Sequence, residues 1–201
     1  MAAGPPVRID PSYDAPVDFA ALAAAFPSGG KWSQVAAGGR RDVGELLGGG
    51  HLPSDWAVVG PDGAAHPTSA PADDGGAVRY GFDAVRVPVR QAASCDKRDR
   101  ALAAGMWGVL SGPVARHQPL VNLDLGGSPG SGAAHSPVGL VGLVGAAAAA
   151  RAAGRGDVAG RLLDRAQALN AGQPTYYGSA WVALGRVLLQ TGLLGGCGAG
   201  A

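Results

Sequence analysis

Apolar residues recur at i, i+3 and i+4 through seven segments: Val17 to Phe26, Trp32 to Leu47, Phe82 to Ala93, Arg98 to Leu110, Pro137 to Ala153, Val158 to Leu169 and Tyr176 to Leu189. That spacing gathers the apolar side chains of each segment onto one helical face. No segment alternates apolar and polar positions convincingly enough to read as a strand, so the pattern predicts an all-α class. Punctuation supports it. Pro27-Ser28-Gly29-Gly30 ends the first helix, Ser111-Gly112-Pro113 ends the fourth, and Ser136 before Pro137 supplies an N-cap with proline at the first helical position. From Leu47 to Tyr80, and again from Gln118 to His135, the chain turns to Gly, Pro, Asp and Ser. Connections beyond about 12–15 residues in a compact domain are usually functional or disordered. The helices between them read as stacked hairpins without a fixed repeat.

Composition narrows the field without changing the class. The 201 residues fit one domain, 1–201, and are enough for a full core. Glycine and proline are abundant, at 35 and 15, but much of the glycine falls in loop candidates such as Gly48-Gly49-Gly50. A net charge of +1 is not that of a basic nucleic-acid binder. The most apolar run, Pro137 to Ala150, stops at Arg151, short of the roughly 20 residues a membrane span needs. Met1 to Asp10 lacks the basic and apolar regions of a secretory signal. Cys95 and Cys197 leave two alternatives open: two half-buried thiols, or a bridge closing a loop of roughly 100 residues and worth up to about 4.7 kcal/mol.

Familiar chemical motifs are weak. His51, His66, His117 and His135 are scattered through loop sequence with no HExxH or CxxC partner, so no metal site or cofactor is expected. Gly30-Lys31 is followed by Trp32 where a phosphate loop needs Ser or Thr. Arg155-Gly156-Asp157 reads as a turn in which glycine ends one helix and aspartate caps the next. The run Arg79 to Arg90 is different. It opens a helix after a long polar loop and places Asp83 near the helix N-terminus, with Arg86 and Arg90 at i+3 and i+7 on the same face. An aspartate held ionised by a guanidinium beside aromatic rings suits a general base for water. An Asp–Arg helix-start pair with no catalytic role is the plain alternative.

Tyr80-Gly81-Phe82-Asp83-Ala84-Val85-Arg86-Val87-Pro88-Val89-Arg90 resembles the YGYDAxRVPWR signature of glycoside hydrolase family 8, the endoglucanase, chitosanase and xylanase family. Other pieces follow in the same order. Asp10-Pro11-Ser12-Tyr13-Asp14-Ala15-Pro16 is similar to NPSYxAP, Leu52-Pro53-Ser54-Asp55-Trp56 to LPxDW, and the Pro174 to Gly185 segment to the closing YYxxxLxLLG helix. The resemblance covers only the C-terminal half of such an enzyme and implies a partial (α/α)6 barrel, a six-hairpin toroid lacking its N-terminal hairpins. It also implies roles. Asp83 matches the aspartate that deprotonates the attacking water in the inverting reaction, Arg86 the arginine paired with it, and Tyr13 the tyrosine that hydrogen-bonds it across the cleft. Trp56 and Tyr80, by the same likeness, line the sugar cleft; for Trp56 a core anchor is an equal alternative. The implied partner is a β-1,4-glucan or chitosan-like polysaccharide, and the implied full-length product is secreted.

The departures bear on activity. The family's acid glutamate and its ASDADxxxA helix have no counterpart, and Glu45 is the single glutamate. Asp10 replaces Asn, Phe82 replaces Tyr, and Val89 replaces Trp. Loss of a general acid typically costs about 10²–10⁴-fold in rate. The expectation is therefore an endoglucanase-like fragment, weakly active or inactive alone, whose missing hairpins would leave an inner apolar face bare. The alternatives are a noncatalytic glycan-binding or polysaccharide-synthesis accessory protein, and a helical-repeat interaction protein.

Overall fold

The computed structural model describes residues 7–73, 75–130, 139–191 and 193. The protein is mostly helical, with α1 Pro16–Ala25, α2 Trp32–Leu46, α3 Val87–Ala92, α4 Lys97–Ala115, α5 Leu140–Ala152, α6 Gly156–Gly172 and α7 Tyr176–Gln190. Each predicted helical segment overlaps one of these helices, but Phe82 to Ala93 is α-helical only over Val87–Ala92. Pro16 occupies the first turn of α1, where a missing N–H costs nothing. Asp96 caps α4 by accepting the Arg98 N–H at 2.9 Å, and Thr175 caps α7 by accepting that of Gly178 at 3.0 Å. No described helix is long and apolar enough to cross a membrane.

Several sequence expectations need correction. The chain also forms a small antiparallel sheet, ordered β1 Val7–Ile9, β2 Trp56–Val59 and β3 Ala65–Thr68, with Arg8 opposite Val58 and Val58 opposite His66. Strands of three and four residues are too short to show alternation, and Pro67 sits inside one of them. Helix α4 runs through Pro113 to Ala115 instead of stopping at Leu110, because proline in the last turn forfeits one bond without ending the helix. At the α5–α6 turn it is Gly154, with φ +74°, that reverses the chain, while Gly156 begins α6 and Asp157 lies in its first turn. Ser136, the expected N-cap, and Cys197, one end of the possible bridge to Cys95, lie outside the described residues.

Helix α5 is the centre of the core. Every residue from Leu140 to Ala150 is buried, with α3, α4, α6 and α7 packed around it. Its glycines permit that closeness. A Cβ at Gly142 would strike the Leu120 carbonyl, and one at Gly145 the Val85 carbonyl, so the α5 backbone directly supports the Ala84–Arg86 turn. Helix α1 is nearly as apolar, with Asp18 its single charge, yet Ala20, Ala21, Ala24 and Ala25 face outward. Helix α1 packs on α2 through the stacked rings of Phe19 and Trp32, and a cleft of about 570 Å³ lies between these helices and residues 94–99.

The two long connections are stitched to each other. Tyr80 and Leu123 exchange backbone hydrogen bonds at 2.9 and 3.1 Å, Leu52 donates to Leu125 at 2.8 Å, and Asp55 donates to Arg79 at 2.9 Å. They therefore form one structured surface, which carries the candidate site.

Candidate active site

Asp83 lies just after the first long connection, at the head of a 3-10 turn, Ala84–Arg86, that leads into α3. The segment is therefore not one continuous helix. The change of pitch separates the two arginines expected on one face: Arg86 pairs with Asp83, whereas Arg90 turns to Asp18 of α1 at 3.5 Å. Nor does the Asp83 carboxylate satisfy the turn's N-terminus. Asp55 does so, its Oδ1 accepting the N–H groups of Gly81, Asp83 and Ala84 at 2.9, 3.1 and 2.8 Å. Only glycine fits at position 81, because a Cβ there would collide with the Asp55 carboxylate. The first connection thus grips the turn that follows it and frees the Asp83 side chain for other contacts.

Arg86 organises those contacts. Its guanidinium bonds the Asp83 carboxylate, lies 3.4 Å from Asp10 Oδ2, and stacks over the Tyr13 ring at 5.5 Å from the centroid. Asp83, Arg86 and Tyr13 thus converge. The Tyr13 contact differs from expectation: its ring face meets the arginine, in place of a phenol hydrogen bond to Asp83, and the side chain is 70% exposed. Asp10 is the unforeseen partner. It accepts the Ser12 N–H at 2.8 Å, which fixes the Pro11–Tyr13 turn and holds its second oxygen near Arg86. Tyr177 of α7 also lies within electrostatic reach of Arg86, Asp83 and Asp10; burial pushes its phenol pKa up. Both ends of the described chain therefore meet at this point.

The electrostatics favour a base that is not fully quenched. Partial burial raises the Asp83 pKa, the neighbouring Asp10 charge raises it further, and Arg86 pulls it back, leaving it above the usual carboxylate value. Arg86 acts in the expected direction, toward the ionised form, but burial and Asp10 outweigh it. A raised pKa also strengthens the carboxylate as a proton acceptor.

Asp83 opens onto a cleft of about 330 Å³ with Asp55, Trp56, Phe82, Arg79 and Asn122 in its walls. Trp56 stands in that wall at the start of β2, as the cleft reading expected. Tyr80 does not. It is 0% exposed in the main core, its pKa raised by burial, and its hydroxyl lacks a hydrogen-bond partner. The backbone pairing with Leu123 turns it inward, and the aromatic that stands in the cleft wall instead is Phe82, one position from Asp83. Val89, where the resembled signature has tryptophan, is likewise buried in the core. Glu45 is used elsewhere, accepting the Ala65 N–H at 2.7 Å beside the small sheet.

Three sites escaped sequence reasoning: the Asp55 clamp, the Asp10 contact and the approach of Tyr177. All depend on contacts between residues far apart in the chain. The one available signal was that Asp10, Asp55 and Tyr177 lie within the segments that resemble family motifs. Compared with protein-family models and with curated proteins, the chain finds no match.

Proposed function

We propose that the protein carries the base side of an inverting β-1,4-glycanase cleft of the family 8 type, built on part of an (α/α)6 barrel and directed at a cellulose-like or chitosan-like polysaccharide. The observation that carries this reading is the position of Asp83. It is partly exposed at a sugar-sized cleft, oriented by Arg86, and flanked by Trp56 and Phe82, whose apolar faces suit a pyranose ring. In this reading Asp83 removes a proton from water as the water oxygen attacks the anomeric carbon. The bond to the leaving sugar breaks, and a carboxylic acid on the opposite side protonates its oxygen, with the two carboxyl groups about 6.5–9.5 Å apart. Arg86 and Asp10 position the base and set its pKa, and the Asp55 clamp fixes the turn that presents it.

A second reading, a noncatalytic glycan-binding or polysaccharide-synthesis accessory protein, is favoured by one observation. The single glutamate is engaged with Ala65, and the other cleft carboxylate, Asp55, is engaged by three backbone donors. Titration with cellopentaose and with a chitosan pentamer, followed by tryptophan fluorescence, tests what both readings share. A Trp56→Ala variant is expected to bind at least about 5-fold more weakly, as loss of a stacked aromatic worth roughly 1 kcal/mol requires. Equal binding by the variant, or none by the native chain, defeats the carbohydrate reading. Reducing-sugar release from soluble cellulose separates the two. The proposal expects little or none from this chain alone, and rapid release abolished by Asp83→Asn would show that a complete acid–base pair lies within it.

A further inference from the structure

Helices α4 and α6 both pack against α5 but barely against each other, so a groove runs between them. Its volume is about 400 Å³, and Trp107 and Val114 of α4 line it together with Val158 and Leu162 of α6. Arg161 and Arg165, one helical turn apart, stand on the α6 side, and His117 stands at the α4 end. The arginines are exposed, and neither has an ion-pair partner among the described residues. That sets them apart from Arg40, Arg86, Arg90, Arg98 and Arg186, each of which rests on a carboxylate. The acidic residue between them, Asp164, is turned away to Arg186 of α7 at 2.7 Å.

We propose that this groove is a docking site for an acidic amphipathic helix of a partner protein. Apolar side chains of the partner would fill the slot beside Trp107 and Leu162, and its flanking Asp or Glu residues would meet Arg161 and Arg165. Two helices with a third beneath them form a cradle suited to a helix laid in it, which is how amphipathic segments are recognised in apolar grooves. The charge argument selects the sign. Two guanidinium groups at i and i+4 repel one another unless carboxylates sit between them, and the described residues supply none there. The groove uses none of the residues assigned to the glycan cleft.

The test selects from a displayed library of 16-residue peptides, with leucine fixed at helical spacing and the remaining positions drawn from Glu, Lys, Gln and Ala. The full chain and an Arg161→Glu/Arg165→Glu variant serve as baits. Peptides enriched on the native chain are expected to carry an excess of glutamate. A synthesised winner should bind the reversed variant at least tenfold more weakly while binding Arg151→Glu/Arg155→Glu normally. Winners without acidic bias, or with unchanged affinity for the reversed variant, overturn the proposal. So does recovery of no peptide, whether phosphatidylglycerol vesicles then bind the native chain, which would assign the face to a membrane surface, or do not. Dimerisation abolished by the reversal would assign the face to a second copy.

Discussion

Two clusters in this protein place one arginine against two aspartates, and they behave differently. Around Arg40, Asp99 accepts two guanidinium bonds and the Ser94 hydroxyl at 2.6 Å, Asp96 takes a further bond at 3.0 Å, and Asp99 is 1% exposed. That cluster also borders a cleft, the one beside α1, but the Asp99 oxygens are engaged within the protein. Around Arg86, Asp83 retains 36% of its side-chain exposure, its pKa is raised, and it faces a cleft. Composition and pairing are shared. What separates a structural ion pair from a candidate base is unsatisfied hydrogen-bonding capacity directed at open space.

The comparison breaks most visibly at the closed cluster. Asp99→Ala leaves Arg40 and Ser94 without their shared partner, and urea denaturation at pH 7 should show a loss of about 3 kcal/mol, within the range for breaking a largely buried pair. Cello-oligosaccharide affinity, corrected for the folded fraction, should stay within twofold of native.

The next effect lies between the clusters, at Asp14, whose carboxyl is buried against Gly39 and accepts the Gln91 amide at 2.7 Å. Burial pushes its pKa up to about 6 from 3.8, against the lowering effect of the Gln91 bond. The native state therefore holds this proton more tightly than the unfolded chain. Its contribution is complete below about pH 4 and is lost as the pH rises through 6. Asp14→Asn should remove that dependence and stabilise the protein at pH 7 by up to about 3 kcal/mol, given 1.36 kcal/mol per pKa unit. Denaturation midpoints at pH 4.5 and 7.5 measure it, and an unchanged pH difference in the variant contradicts it.

The smallest stability effect belongs to the open cluster. Asp83→Asn removes one half of a partly exposed pair and should change stability by less than about 1 kcal/mol. A loss comparable to that at Asp99 would place Asp83 among structural residues.

Much of this architecture was legible because helices announce themselves locally. The i, i+3, i+4 pattern located the seven described α-helices, though not the 3-10 turn ahead of α3, and the Asp83–Arg86 spacing foretold their ion pair. The small sheet was not legible, since β1, β2 and β3 are held by cross-chain pairing and not by their own alternation. Tyr80 misled for the same reason. Beside Gly81 and after a polar loop it reads as exposed, and only its pairing with Leu123 reveals that it points into the core. Asp55 and Asp10 were visible as parts of motifs, but a side chain that caps a turn 26 residues away leaves no periodic trace.

The outward alanines of α1 carry a practical consequence. A methyl-rich ridge that repels no neighbour and offers no hydrogen bond will favour adhesion to alkyl and phenyl surfaces over hydration. Chromatography of this protein on such matrices should therefore be governed by its first helix, and a glutamate placed on that ridge at Ala21 or Ala24 is the simplest route to cleaner colloidal behaviour.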